Sequence, residues 1–181
     1  MRYRRTAIDG VVVVELEERP DDRGFFARTF DVDELAAEGL DHPVVQANLS
    51  FNHLAGTVRG LHRQRPPHAE GKLVRCTAGA IADVVVDVRP GSSTYGQHVL
   101  VELSAANRLA IVVPPYVAHG YLTLEDRAEV TYQVSGRYIS EAEEGFRHAD
   151  PQLGVSWPRP VAVISEKDAS WPLLDAPGTS R

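Results

Sequence analysis

Three side chains of this 181-residue chain, each in a short motif, are candidates for proton transfer. His62 ends the segment RGLH, and an imidazole exchanges protons near neutral pH, although a lone histidine near a strand is more often structural. Tyr132 lies in the middle of EVTYQV, where a phenol either donates a proton into a pocket or packs in the core. Asp168, in SEKD, would fix the tautomer of a histidine and raise its basicity if the fold brought the two together.

Three further side chains could hold negative charge or contact a ligand. The planar guanidinium of Arg59 suits a phosphate. Lys72 opens the segment KLVRC, where its ammonium could hold a phosphate, stabilise an oxyanion or remain a solvated surface charge. His119 follows the turn VPPYVA and could contact a ligand or hydrogen-bond its own loop. Together these residues are compatible with proton transfer beside developing negative charge.

A metal site is the alternative use of the histidines. His62, His68, Glu70 and His119 offer three imidazoles and one carboxylate, a set that suits a transition metal. Two ligands on one face of a strand are two residues apart, but Gln64 stands where the second histidine would be needed. His68 and Glu70 fall in a proline-rich turn. The spacing therefore argues against a metal.

Composition excludes several classes of protein. The net charge of −6 opposes general nucleic-acid binding, which needs phosphate-neutralising lysines and arginines. No stretch approaches the roughly 18 apolar residues of a membrane helix, and the N-terminus lacks the apolar core of a signal peptide. The single cysteine, Cys76, cannot form an intramolecular disulfide. We expect a soluble cytoplasmic protein that binds neither nucleic acid nor membrane.

The elements that must position these residues are short strands. Apolar, β-branched runs recur between turn signals, a pattern typical of an antiparallel sandwich or barrel. A short helix is expected around residues 31–38, capped by Asp31, and a loop-rich tail with one short helix after residue 140. Without a repeat or linker, residues 1–181 are predicted to form one domain. The expected strands are 11–15, 43–48, 72–76, 81–88, 97–103, 108–113, 120–124 and 128–134.

The run at residues 81–89 has two different faces. One face mixes acids and aliphatic residues, which suits either an interior around a polar site or a half-solvated exterior. The other is entirely apolar and is expected to pack between two sheets. The mixed face carries Ile81, Asp83, Val85, Asp87 and Arg89, and the apolar face carries Ala82, Val84, Val86 and Val88.

Nine segments between about residue 8 and residue 174 together resemble the dTDP-4-dehydrorhamnose 3,5-epimerase family of nucleotide-sugar epimerases. The resemblance implies an all-β fold, a cupin-type antiparallel β jelly roll with short peripheral helices, assembled as a homodimer. It also implies an enzyme without metal or redox cofactor. The expected substrate is a nucleotide-diphosphate 4-keto-6-deoxyhexose, epimerised at C3 and C5 through an enolate. The segments are DDRGFFARTF, QANLSFN, GTVRGLH, KLVRCTAGAIADVVVDVRPGSSTYGQ, VELSAANR, VPPYVAHGYLTLED, EVTYQV, DPQLGVSWP and ISEKD.

The resemblance also implies residue roles. His62 looks like the base with Asp168 as its partner, Tyr132 like the acid on the opposite face, and Lys72 like the group that stabilises the enolate oxygen. In the family, part of the arm at residues 23–30 can serve the site of a neighbouring subunit. The substrate-contacting positions are Arg23, Phe26, Gln46, Asn48, Arg59, His119, Glu143 and Lys167.

One position departs from the family pattern. Where a glutamate usually follows the DxRG segment and helps to bind the nucleotide, this chain has Arg28. This charge reversal leaves open both dTDP and another nucleotide. The residues also leave open inversion at one centre instead of two, a metal-dependent cupin, and a sugar-binding module without catalysis.

Overall fold

Strands are the main regular secondary structure of residues 1–174, the part of the chain that this computed structural model describes. The helices are short: α1 (Val32–Ala37), α2 (Glu166–Ser170) and a 3₁₀ helix (Ser140–Ala142). The strands are β1 (Arg2–Arg5), β2 (Val12–Glu15), β3 (Arg19–Asp21), β4 (Gly24–Phe26), β5 (Gln46–Asn52), β6 (Val58–Gln64), β7 (Lys72–Ala78), β8 (Ala80–Val86), β9 (His98–Ser104), β10 (Ala110–Val113), β11 (Ala118–Thr123), β12 (Ala128–Val134) and β13 (Glu143–Gly145).

Two antiparallel sheets form the body of the protein. The first has the strand order β1-β2-β10-β7-β12-β5, and the second has the order β13-β6-β11-β8-β9. The short hairpin β3–β4 is paired only with itself among the described strands. Several neighbouring strands, such as β5 and β12 or β6 and β11, are far apart in sequence, as in a jelly roll. The predicted all-β jelly roll with short peripheral helices is confirmed.

The main apolar core lies between the two sheets. Val74, Ile111 and Val130 of the first sheet belong to one buried cluster with Ile81 and Val85 of the second. Because alternate side chains of a strand point to the same face, Asp83 points to the same side as Ile81 and Val85. The mixed face of β8 is therefore the interior one, in agreement with the interior alternative drawn from its pattern.

The apolar face of β8 does not pack between the sheets, so this expectation was wrong. Val84 and Val86 lie on the outside of the second sheet, where they are buried with Phe146, Leu153 and Leu174 of the C-terminal segment. The strand is thus covered on both faces, one by a sheet and the other by irregular chain. A pattern of apolar residues predicts burial but not which layer provides it.

Helix α1 covers part of the outer face of the first sheet. The Asp31 carboxylate accepts hydrogen bonds from the backbone N–H groups of Asp33 and Glu34, at 3.0 and 3.1 Å, which confirms the predicted cap. Leu35 packs in a buried cluster that includes Val12. Within residues 1–174, neither helix has the length and apolarity needed to span a bilayer.

We predict that Leu153→Ala lowers the free energy of unfolding by about 2–5 kcal/mol, because the side chain is only 2% exposed beneath the second sheet. Leu173→Ala is the matched control, since Leu173 lies in the same segment and is 46% exposed. Urea denaturation followed by circular dichroism measures both. Equal small losses would show that the C-terminal segment does not stabilise the sheet.

Candidate functional site

A cavity of about 210 Å³ lies between the sheets and is lined by side chains from both. An adjoining space of about 440 Å³ shares His62, Lys72 and Tyr132 with it and extends toward the edge strands β5 and β13. The first cavity is lined by Ser50, Arg59, His62, Lys72, Val74, His119, Gly120, Tyr121, Val130, Tyr132 and Asp168. Six residues predicted from the sequence therefore meet at one place.

His62 and Asp168 form a hydrogen-bonded pair. The distance from His62 Nε2 to Asp168 Oδ1 is 2.6 Å, and the other carboxylate oxygen accepts the backbone N–H of Gly60 at 3.2 Å. Ser165 caps α2 by accepting the N–H of Asp168, which directs the first turn of this helix toward β6. When Nε2 carries the hydrogen, Nδ1 holds a lone pair and can act as a base.

The Asp168 carboxylate is held in its ionised form. Burial, the largest single influence, raises its pKa, but hydrogen bonds from His62, Gly60 and Trp171 and the charge of His62 together lower the pKa below its usual value. An ionised partner stabilises an imidazolium. His62 can thus accept a proton while Asp168 compensates its charge.

Tyr132 faces the cavity from the opposite sheet. His62 belongs to β6 of the second sheet and Tyr132 to β12 of the first, so the two side chains approach the cavity from different layers. Burial raises the pKa of Tyr132, and this influence outweighs the lowering effect of Arg59. The phenol therefore stays protonated near neutral pH and can donate a proton.

Lys72 provides positive charge inside the site. Its Nζ lies 3.4 Å from Glu70 Oε1, and both side chains are largely shielded from solvent. The second oxygen of Glu70 accepts a hydrogen bond from Gln64 Nε2 at 3.0 Å. Because Gln64 also binds the backbone at Arg137 and Ile139, this network connects β6 to the chain beyond β12. From the sequence, Glu70 was a candidate only as a metal ligand.

His119 forms a second imidazole–carboxylate pair. Its Nε2 lies 2.8 Å from Asp83 Oδ2, and Asp83 is fully buried. In the register of β11 and β6, His119 stands opposite His62. Asp83 was not predicted as a site residue, although its position on the mixed face of β8 was a usable signal. Residues 1–174 contain no cluster of three or more His, Cys, Asp or Glu side chains arranged to hold a metal.

Arg59 is oriented by the end of β5. Its Nε donates to Asn52 Oδ1 at 2.8 Å and its Nη2 to the carbonyl of Phe51 at 3.3 Å. Nearby, Tyr121 Oη donates to Ser50 Oγ at 2.9 Å. The guanidinium is thereby fixed at the cavity wall, where it can bind an anionic or polar group.

The adjoining space holds the predicted residues Gln46, Asn48 and Glu143. Glu143 Oε2 accepts hydrogen bonds from Lys167 Nζ and from Tyr138 Oη, each at 2.6 Å. Burial raises the pKa of Glu143, but these two bonds and the charge of His62 and Lys167 lower it overall. Lys167 thus lies at the rim of the site and holds an ionised carboxylate.

Besides Lys167, which reaches the site only through Glu143, two predicted residues lie outside both cavities. Arg23 and Phe26 belong to the exposed hairpin β3–β4, where Arg23 pairs with Asp21 and Phe26 is 63% exposed. Neither contributes to the cavities of its own chain. Arg28, just beyond the hairpin, pairs with Asp31 at the start of α1.

Comparison with known proteins identifies the family. The family model described as dTDP-4-dehydrorhamnose 3,5-epimerase matches residues 5–176. The chain is 42% identical over 175 residues to a dTDP-4-dehydrorhamnose 3,5-epimerase of Sinorhizobium fredii, an alignment that covers 96% of this chain and 90% of the relative.

Solved structures agree with this match. The enzyme of the same name from Bacillus anthracis, solved with TDP and PPi bound, superposes with a TM-score of 0.92 at 37% identity and covers 96% of this chain and 99% of its own. A dTDP-6-deoxy-D-glucose-3,5-epimerase from Legionella pneumophila, in complex with dTDP-4-keto-L-rhamnose, gives 0.88 at 36% identity and covers 95% and 92%. Sequence and fold together show that the chain belongs to the dTDP-4-dehydrorhamnose 3,5-epimerase family.

Proposed function

We propose that this protein epimerises a nucleotide-linked 4-keto-6-deoxyhexose, converting dTDP-4-dehydro-6-deoxy-D-glucose to dTDP-4-dehydro-L-rhamnose. The observation that carries the proposal is the placement of a base and an acid in opposite sheets, His62 with Asp168 on one side and Tyr132 on the other. The names of the relatives and the sugar nucleotide bound in the Legionella pneumophila structure support the choice of substrate.

The proposed reaction follows from the acidity of carbons beside a ketone. The C4 carbonyl acidifies the protons at C3 and C5 because the electrons left behind form an enolate. His62 removes a proton from one face of the sugar, and Asp168 balances the charge of the imidazolium. Tyr132 then returns a proton to the other face, which inverts the carbon.

Lys72 is proposed to stabilise the enolate. Negative charge develops on the C4 oxygen, and a shielded ammonium in the cavity wall stabilises it more strongly than a solvated one would. Arg59 and His119 are proposed to orient the sugar, and Gln46, Asn48 and Lys167 to bind the part that extends into the adjoining space. This arrangement concentrates basic side chains in the site of an acidic protein.

We further propose a homodimer in which the hairpin β3–β4 completes the site of the partner. Arg23 and Phe26 line neither of the two cavities that form the site of their own chain. The outer face of β5 exposes two large apolar side chains, Leu49 at 59% and Phe51 at 37%. A second copy of the chain would cover this face, and exposed apolar patches mark such contacts.

We predict that Tyr132→Phe and His62→Ala affect inversion and exchange differently. In deuterium oxide, His62→Ala slows deuterium incorporation into the ketosugar by about 10²–10⁴-fold because the base is lost. Tyr132→Phe slows inversion by a similar factor but retains exchange, because His62 still removes and returns protons on its own face. NMR of the sugar measures both.

The control for the histidine change is His68→Ala, an exposed site whose replacement should leave both rates unchanged. Rapid exchange in the His62→Ala variant would contradict the assignment of His62 as the base.

The same assay on the wild-type protein tests the two open alternatives. Deuterium at C3 alone or at C5 alone would identify a mono-epimerase. Repeating the assay with CDP-, UDP- and GDP-linked sugars identifies the nucleotide that the protein accepts.

We predict a second contrast between two lysines. Lys72→Met lowers kcat about 10²–10³-fold, as expected for loss of a group that stabilises an oxyanion. Lys167→Met chiefly raises KM, because this side chain lies at the rim of the site and is half exposed. Steady-state kinetics separates the two effects. If Lys72→Met left kcat unchanged and raised KM as much as Lys167→Met does, Lys72 would have no role in the chemical step.

The shared site predicts complementation between inactive subunits. A heterodimer of His62→Ala and Arg23→Ala chains has one site with an intact His62 and an intact Arg23 from the partner, so about half of the wild-type activity returns. Two affinity tags allow the heterodimer to be isolated, and light scattering checks its size. If each hairpin served its own chain, both sites would be defective and no activity would return.

A further inference from the structure

The indole of Trp171 lies directly behind the His62–Asp168 pair. Trp171 follows α2, and its Nε1–H donates to Asp168 Oδ1 at 3.3 Å. The same oxygen faces His62 Nε2 at 2.6 Å, so one carboxylate oxygen receives two ring donors. The centroids of the indole and the imidazole are 6.1 Å apart, with the rings inclined at 71°.

The indole is held in place from several sides. Gly145 pairs with His62 in the register of β13 and β6, and a Cβ at Gly145 would overlap the indole ring. The Arg147 side chain donates to the Trp171 carbonyl at 2.9 Å. Lys167 Nζ lies 5.6 Å from the ring centroid. The absence of a side chain at Gly145 therefore creates the space in which the ring reaches Asp168.

A second donor on Asp168 Oδ1 has two physical effects. It fixes the rotamer of the carboxylate, and with it the direction in which His62 is held. It also stabilises the negative charge of that oxygen, which leaves less of the charge to stabilise a proton on His62. The lowered pKa of Asp168, to which the Trp171 hydrogen bond contributes, agrees with this effect.

We propose that Trp171 is a positioning residue of the His62–Asp168 pair: its N–H orients the carboxylate and takes up part of its negative charge, so that Asp168 binds the His62 ring less strongly. The catalytic consequence rests on the proposed function, but the effect on the imidazole does not. Other titratable or charged groups around the pair are Arg59, Lys72, His119, Tyr132, Glu143, Arg147, His148 and Lys167.

The test replaces Trp171 by Phe, which keeps an aromatic ring and removes the N–H. Trp157→Phe is the matched control, because the indole N–H of Trp157 donates to the carbonyl of His148 instead of Asp168. NMR of the ¹⁵N-labelled His62 ring is followed against pH, together with the pH profile of deuterium exchange. If Trp171→Phe does not fold, 3-benzothienylalanine at position 171 preserves the size of the indole without its N–H.

We expect the midpoint of the His62 ring titration to move up by about 0.3–0.5 pH unit in Trp171→Phe, and the acidic limb of the exchange profile to move with it. Trp157→Phe should leave both unchanged. An unchanged ring titration in Trp171→Phe, or an equal shift in Trp157→Phe, would overturn the proposal. A shifted ring titration without exchange activity in the wild-type protein would instead refute the proposed function and leave the role of Trp171 standing.

Discussion

The hydrogen bond between His62 and Asp168 is the contact on which the arrangement of the site depends. It joins a strand of the second sheet to a five-residue helix near the C-terminus, and the residues it connects are 106 positions apart. The carboxylate also accepts a backbone N–H of β6, so the helix and strand are connected by both oxygens. The C-terminal segment that covers the outside of β8 carries the helix to this position.

The two-layer fold places opposed groups around one cavity. Inversion of a carbon requires that a proton is removed from one face and another is supplied to the opposite face. Side chains from two facing sheets can reach both faces of a bound sugar, whereas side chains of a single strand reach only one. The cavity is also polar at a depth where isolated charges are costly. Its ionisable side chains are therefore paired, Lys72 with Glu70 and His119 with Asp83, and these pairs keep the basic groups oriented.

Local patterns predicted much of the fold but few of the contacts. The predicted strand 128–134 coincides with β12, and the Asp31 cap identified α1, because alternation and capping depend on neighbouring residues. The polar or very short β1, β3, β4 and β13 carry no such pattern. The expected strand 43–48 overlaps only the start of the observed strand, since β5 begins at Gln46 and extends to Asn52.

The site residues and the His62–Asp168 pair were available from motifs, but the other partners were not. The resemblance supplied His62, Asp168, Tyr132 and Lys72 as a set, whereas the pairing of Asp83 with His119 depends on strand register between β8 and β11. The position of the Trp171 ring depends on Gly145 of β13, where a side chain would overlap the indole. Such contacts between distant segments arise only when the sheets are assembled.

The most direct test of the proposed epimerisation is NMR of dTDP-4-dehydro-6-deoxy-D-glucose incubated with the wild-type protein in deuterium oxide. We expect deuterium at C3 and at C5, with both carbons inverted to the L-rhamno configuration. A sugar that is bound by the protein but gains no deuterium at either carbon would contradict the proposed acid–base chemistry.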